Sequence, residues 1–515
     1  MNKDLILTID AGTQSLRALA FDRQGHLIDK AQISLDAYTS PEEGWMEHDV
    51  AGFYDAMCRA CQQLWQQEIV KPEQMAGVVL TTQRATMINL DSEGNPLRPA
   101  IIWADQRRAE VRSQRPLVWR VLFKLLGLKN TIDALESACQ INWIQQHQPA
   151  VWENTSHYVM LSGYLNYKLT GEIVDSVGNQ VGFIPFDYKN QDWCTASDWK
   201  WTCMPVARSQ LPQLVPTGDT LGHITQQCAA DTGILAGTPV IAGAADKACE
   251  VLGSGCIDPS IASISCGTTA TINVTRHRYL EPRPFIPPYP AAIPGVYNLE
   301  IQIFRGFWMV SWFKKLLGQQ EQQQANEQGV SPEQLFEAHL TNTQPGASGL
   351  IMQPYWNPGL GEPGPEARGS LIGFNDAHHQ AHIYRAIIEG LAYGLKGGKE
   401  LLEKRGKQRI QTCRIAGGGS QSDGVMQIMA DVLNCPCERP STFEASGLGA
   451  AIIGAGALRF YPSIEAAGKA MTGTTQRFEP NPEHAALYEK IYRGVASQQY
   501  GRLKPLYQKL KAIFG

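Results

Sequence analysis

At 515 residues the chain is too long for one hydrophobic core of ordinary size, so two large domains are expected. Its 43% hydrophobic and 18% charged residues make a globular composition and exclude wholesale disorder. A formal net charge of −4 lacks the basic excess that holds a phosphate backbone or an anionic membrane, which sets nucleic acid and membrane aside as partners.

Only the short apolar run 5–9 separates Lys3 and Asp4 from Asp10, so neither a signal peptide nor a spanning helix is expected there. Twelve cysteines without a secretory leader suit reduced thiols in the cytoplasm better than a disulfide framework. Cys58 and Cys61 form a CxxC, and Cys435 and Cys437 a CxC. Neither has the second ligand pair of a structural zinc site, and ordinary buried thiols are expected.

The first strand, 5–10, runs into a tight Ala11-Gly12-Thr13 turn, and an alternating strand follows over 16–21. A second turn at 23–25 leads to a third strand over 27–35. This is an antiparallel meander, not a strand-to-helix phosphate loop. Helical spacing predicts helices over 53–68 and 105–125, with a strand at 77–80 between them. The same grammar returns in the second half, with a strand at 261–265, a turn at Cys266-Gly267-Thr268-Thr269, and β-rich residues at 270–275. Aligning Gly12-Thr13 with Gly267-Thr268 sets Asp10 opposite Ser265, so the acid occurs in one copy only. A boundary within 253–258 divides the chain into 1–254 and 255–515, with the Pro-rich stretch 282–294 an excursion inside the second part. Further on, 412–416 reads as a strand, Gly417-Gly418-Gly419-Ser420 as a small-residue turn, and 422–433 as a helix.

The Gly-Thr turns carry the chemistry. Glycine lets backbone N–H groups approach a phosphate, and the threonine hydroxyl adds a donor. Two such turns, Gly12-Thr13 and Gly267-Thr268-Thr269, are suited to gripping a polyphosphate from both sides. Asp10, at the end of the strand entering the first turn, is placed to hold Mg2+ directly or through water. Taken singly, the first turn is equally well a hairpin whose glycine serves only the turn. The cluster Gly417–Ser420 lets a flat base or ribose lie against the backbone at a helix N-terminus. Asp246 follows the small residues 242–245 and opens a helical run, and local chemistry alone reads it as an N-cap.

In combination these motifs resemble the FGGY family of carbohydrate kinases, in the actin-like ATPase superfamily, over nearly the whole chain. Asp10-Ala11-Gly12-Thr13 with Arg17 is similar to the family's first phosphate motif, and Gly267-Thr268-Thr269 to its second. Gly417, Gly418, Gly419 and Ser420, with Gln427, Ala430 and Asp431, look like its adenosine motif. Gly373, His382, Ala386 and Glu389 have the spacing of a family signature, with Phe374 where an aliphatic residue is usual. The resemblance implies an α/β fold of two actin-like, ribonuclease H-like domains about a central cleft. It implies ATP with Mg2+ on Asp10, and Asp246 as general base, since transfer to an alcohol needs a carboxylate near the hydroxyl that loses its proton. It also places Gln83, Arg84, Trp103 and Asp105 beside the acceptor, a small sugar or polyol.

The substrate signatures of two relatives are both incomplete. Ala85 stands where glycerol kinases carry a glutamate that binds glycerol, and xylulokinases have Met-His where this chain has Arg84 and Ala85. Lys247 replaces the amide residue common after the catalytic aspartate, and Gly163 an aspartate frequent in relatives. A ketose, a pentulose foremost, is the expected acceptor, with glycerol the alternative. For Trp103 the competing reading is a core aromatic, and for Arg107 a solvated helix charge. A non-catalytic sugar- or nucleotide-sensing module and a nucleotide-switched chaperone or filament ATPase are the rival functions. Retention of both Asp10 and Asp246 counts against the first, and the lack of room for a peptide-binding domain against the second. A homodimer is left open as an assembly state.

Overall fold

The computed structural model describes residues 3–111, 115–284, 286–330, 332–359 and 363–514. Strands β1 (Leu5–Ala11), β2 (Ser15–Phe21) and β3 (Leu27–Ser34) form the expected meander, and helix α1 (Val50–Gln66) follows. Asp49 starts α1 by accepting the Gly52 N–H on its carboxylate. β4 (Met75–Thr82) then lies parallel to β1, and β5 (Thr220–His223) and β6 (Pro239–Ile241) complete a six-stranded sheet in the order β5-β6-β4-β1-β2-β3. Helix α2 (Asp246–Gly253) leads out of it.

The second half repeats this plan with β7 (Ile261–Cys266), β8 (Ala270–Arg276), β9 (Tyr289–Pro290) and β10 (Tyr297–Ile303). Helix α3 (Gln380–Gly406), β11 (Thr412–Ala416), helix α4 (Asp423–Leu433), β12 (Cys437–Pro440), helix α5 (Ala445–Ala457) and β13 (Thr474–Phe478) follow. Its seven-stranded sheet has the order β9-β10-β8-β7-β11-β12-β13. With β9 set aside, the two sheets share one pairing scheme. A three-stranded antiparallel meander is extended by two parallel strands and closed by an antiparallel edge. The duplication expected from the two Gly-Thr turns thus extends through six strands of each sheet. Only the order in which the chain visits the last two differs between the copies.

Both faces of the first sheet are covered, which explains why β1 is buried at every position instead of alternating. Leu7 and Ile9 pack with Phe53 and Met57 of α1, while Ile6, Leu19 and Val79 pack with Leu448 and Ile452 of α5. Helix α5, from the second half, therefore closes the core of the first. It crosses α2 at two glycines. A Cβ on Gly253 would lie 1.9 Å from the Ala445 carbonyl oxygen, and one on Gly449 would lie 1.9 Å from that of Cys249. Gly449→Ala is expected to push these backbones apart at a cost of at least ~1–3 kcal/mol. It should lower the midpoint of thermal unfolding, and an unchanged midpoint would show that the crossing is loose.

One predicted element is corrected. The helix expected over 105–125 is confined to Leu117–Leu125. Asp105 turns back to hold Met46 and Arg107, and Pro116, which favours an extended residue before it, sits as the N-cap. Residues 112–114 of that prediction lie outside the described residues. Among the described residues no helix is long and apolar enough to cross a membrane.

Candidate active site

The β1-β2 hairpin carries Asp10 and Thr13 at one end of two interior strands of the first sheet, where the Gly12 N–H donates to the Ser15 carbonyl. The Thr13 hydroxyl donates to Gln83 Oε1 at 3.0 Å and accepts from Trp103 Nε1 at 2.9 Å. The first Gly-Thr turn is thereby tied to both residues expected at the acceptor. Gln83 Nε2 is buried without a hydrogen-bond partner, a donor left over beside the turn. Ala85 next to them has φ +54°, a strained left-handed conformation for a residue other than glycine.

Asp246 occupies the first helical position of α2. It is not the cap, since Ala245 holds that place. Its carboxylate accepts the Lys247 N–H at 2.7 Å. Burial raises its pKa from the ordinary aspartate value, against the pull of the Lys247 and Arg84 charges. The segment before it is held from behind. The Ser176 hydroxyl donates to the Gly243 carbonyl at 2.6 Å, and the Ala245 N–H donates to the Gly178 carbonyl at 3.1 Å. Buried Asp175 organises that loop by accepting from Ser162, Asn166, Asn179 and Gln180. A Cβ on Gly163 would lie 3.5 Å from Asp175 Oδ2, so an aspartate at 163 would face a like charge already in place.

Lys247 reaches from α2 to the second copy of the turn, its Nζ donating to Ser265 Oγ and to Glu250 Oε2, both at 2.7 Å. Ser265 is the residue that aligns with Asp10, so a cation contacts one copy where the other supplies an anion. In the turn that follows, Thr268 is exposed and Thr269 buried, and the Phe307 N–H donates to the Gly267 carbonyl. Gly417 lies against the Cys266 backbone and Gly419 against the Phe307 ring, while a Cβ on Gly418 would meet nothing within 4 Å. The small-residue turn therefore borders the second Gly-Thr turn and leaves an open surface. Ser420 turns inward, its hydroxyl donating to the Gly417 carbonyl.

Residues 5–253 match the N-terminal domain profile, and 262–458 the C-terminal domain profile, of the FGGY family of carbohydrate kinases. The chain belongs to that family. This FGGY kinase is 28% identical to the xylulose kinase of Lactococcus lactis subsp. lactis over 95% of each chain. It is also 28% identical to the glycerol kinase of Janthinobacterium sp. over 92% of its own length and 94% of the relative's. Its fold superposes on the ligand-bound xylulose kinase of Lactobacillus acidophilus with a TM-score of 0.82 at 21% identity, covering 98% of this chain and 99% of that one.

Several residues of the kinase do other work than their motifs suggested. Asp105 is buried and committed, accepting from the Met46 N–H at 2.7 Å and from both Nε and Nη2 of Arg107. Both oxygens of its carboxylate are thereby occupied by protein donors. Arg107 is no solvated helix charge, for its guanidinium lies over the Trp45 and Trp143 rings at 4.2 and 4.5 Å, in the corner the two edge-to-face indoles make. Arg17 binds Asp10 at 3.4 Å and Glu444 at 3.1 Å through one Nη atom, and its side chain is 32% exposed. Asp431, in the adenosine-like motif, is buried and accepts from the Asn481 N–H and Gln427. Glu389 of the signature accepts from Arg385, Tyr488 and the Gly346 N–H inside the second core. The twelve cysteines are free and buried.

Sequence reasoning missed Glu444, Glu250, Tyr289 and Glu300. Glu250 sits one turn into the helix that Asp246 opens, and the other three reach the site from elements with no local motif. Tyr289 comes from the Pro-rich excursion, which enters the second sheet as β9, and only the aromatic embedded among prolines hinted at it. Glu300, in β10, forms a bidentate pair with Arg84 from the other half.

Proposed function

We propose that this kinase transfers the terminal phosphoryl group of ATP to a hydroxyl of a small sugar, a ketose and foremost a pentulose. The observation that carries the reading is the Thr13 hydroxyl, joined at once to Gln83 and Trp103. It puts the phosphate-gripping turn and the polar-plus-indole wall suited to a polyhydroxylated ligand in one contiguous site. The two sheets support dividing the chain at 254/255, with the acceptor on the first part and adenosine against Gly417–Ser420 on the second. Free, buried cysteines suit a cytoplasmic enzyme.

Among the described residues no group of three or more His, Cys, Asp or Glu is arranged to hold a metal. That suits Mg2+, which takes most of its ligands from phosphates and water and needs one or two carboxylates. Asp10 fits that need, because its charge is only partly compensated by Arg17 and its pKa is pushed up to about 7, chiefly by burial. Bound there, Mg2+ would offset charge on the phosphates.

Asp246 takes the proton of the acceptor hydroxyl as that oxygen bonds to phosphorus and ADP leaves. A raised proton affinity suits a base that must accept a proton in the transition state. Thr13, through its backbone N–H, and Gly267, Thr268 and Thr269 donate to the transferred group, and the Lys247 ammonium at Ser265 places a fixed positive charge beside them. Closure of the two halves keeps out water, which competes as acceptor.

The glycerol alternative turns on Ala85. With Asp105 spent on Arg107, no carboxylate from that segment replaces the missing glutamate. Loss of a charged hydrogen bond to a buried hydroxyl is worth about 1.5–3 kcal/mol, one to two decades of preference. Specificity constants for glycerol, ketopentoses, aldoses and alditols are expected to rank a ketopentose at least tenfold above glycerol. A preference for glycerol would refute the assignment of the acceptor while leaving the kinase in place.

A further inference from the structure

Arg84 and Glu300 close on each other from opposite halves of the chain. Arg84 follows β4 of the first sheet, and Glu300 lies in β10 of the second. Arg84 Nη2 donates to Glu300 Oε1 at 3.0 Å and Nη1 to Oε2 at 3.2 Å, a fork-to-fork pair whose side chains are 15% and 5% exposed. The Tyr289 ring covers the guanidinium at 5.3 Å. Gln83, whose amide nitrogen has no partner, is the neighbouring residue, and Asp246 is near enough for its charge to act on Arg84.

Stability is a poor account of such a pair. Desolvating two ions offsets most of their attraction, so a buried bridge stabilises little more than apolar residues of the same shape. Its effect on a ligand is larger. Without Glu300, Arg84 would present an open bidentate fork, the group best suited to a carboxylate, with the Lys247 ammonium close by. With Glu300 in place the fork is filled, and an incoming carboxylate meets both Glu300 and Asp246 in a site of low dielectric. A hydroxyl is received differently, because it can accept from the guanidinium edge and donate to a carboxylate lone pair.

We propose that Glu300 is a specificity-determining residue, which by occupying Arg84 restricts the acceptor to neutral polyhydroxylated chains and excludes sugar acids. This rests on the acceptor site assigned above. The test measures kcat/KM of the wild type, Glu300→Gln and Glu300→Asp for neutral acceptors (D-xylulose, D-ribulose, xylitol) and for the acids D-xylonate and D-gluconate. The wild type should favour its best neutral acceptor by about 100-fold or more, the range set by an uncompensated buried charge. Glu300→Gln should cut that ratio at least tenfold, and Glu300→Asp should restore much of it. An unchanged ratio in folded Glu300→Gln overturns the proposal, as does a wild type that uses acids as well as neutral sugars. Should Glu300→Gln not fold, inhibition of the wild type by xylitol and by xylonate decides the matter. Much weaker inhibition by xylonate supports the role of Glu300, and equal constants overturn it. A wild type inactive on every acceptor would instead refute the acceptor site and this inference with it, a result distinct from an unchanged ratio in an active enzyme.

Discussion

Asp246→Asn is expected to lower kcat by roughly 10²–10⁴-fold, the contribution typical of a positioned general base, while MgATP affinity changes by no more than a few-fold. Asparagine keeps the side-chain oxygen that accepts the Lys247 N–H, and the loop of Asp175 and Ser176 that supports residues 243–245 is untouched. The variant should therefore fold and bind nucleotide, losing only the group that takes the proton. Turnover assays with the best acceptor, beside nucleotide titrations, read the two effects separately. Near-wild-type turnover would reduce Asp246 to a helix-start residue and remove the proposed base.

Asp10→Asn is expected to do two opposite things. It should abolish most Mg2+-dependent turnover, with excess Mg2+ restoring at most part of it. It should also stabilise the ligand-free protein in mild alkali. The Asp10 pKa is raised from 3.8 to about 7, first by burial, with Arg17 opposing and Asp246, Glu444 and Glu250 reinforcing. A group whose folded pKa exceeds its unfolded value favours the folded state fully below the unfolded pKa. That contribution fades as pH rises through the folded pKa. For Asp10 it is present near pH 3 and gone above about pH 7, a difference on the order of a few kcal/mol. Unfolding midpoints of the two proteins, measured without nucleotide or metal, should differ most at pH 8 and converge towards pH 4. A gap independent of pH would show that the Asp10 charge carries no such strain, and full activity in the variant would remove it from the metal site.

Much of this protein was legible locally. The β-hairpins around Gly12-Thr13 and Gly267-Thr268 and the strand-turn-helix at Gly417–Ser420 announce themselves because turn residues and strand periodicity act within a few positions of each other. The repeat they outline extends to the pairing of both sheets, since each copy must bury the same two faces. The helix expected over 105–125 failed for the opposite reason. A buried ion pair between Asp105 and Arg107, with Arg107 held against two tryptophans distant in sequence, outweighed helical spacing there. The same limit governs the site. Asp10, Asp246 and Gln83 became candidates by motif and resemblance, because the short segments around them carry their own pattern. That Arg17 meets Glu444, that Lys247 meets Ser265 and that Arg84 meets Glu300 depended on bringing residues of the two halves together. Sequence by itself determined the family, the duplicated frame and the candidates for base and metal. Only the tertiary structure decided which charges neutralise one another, because Coulombic partners are chosen by distance in space and by burial, and neither is written in the order of residues.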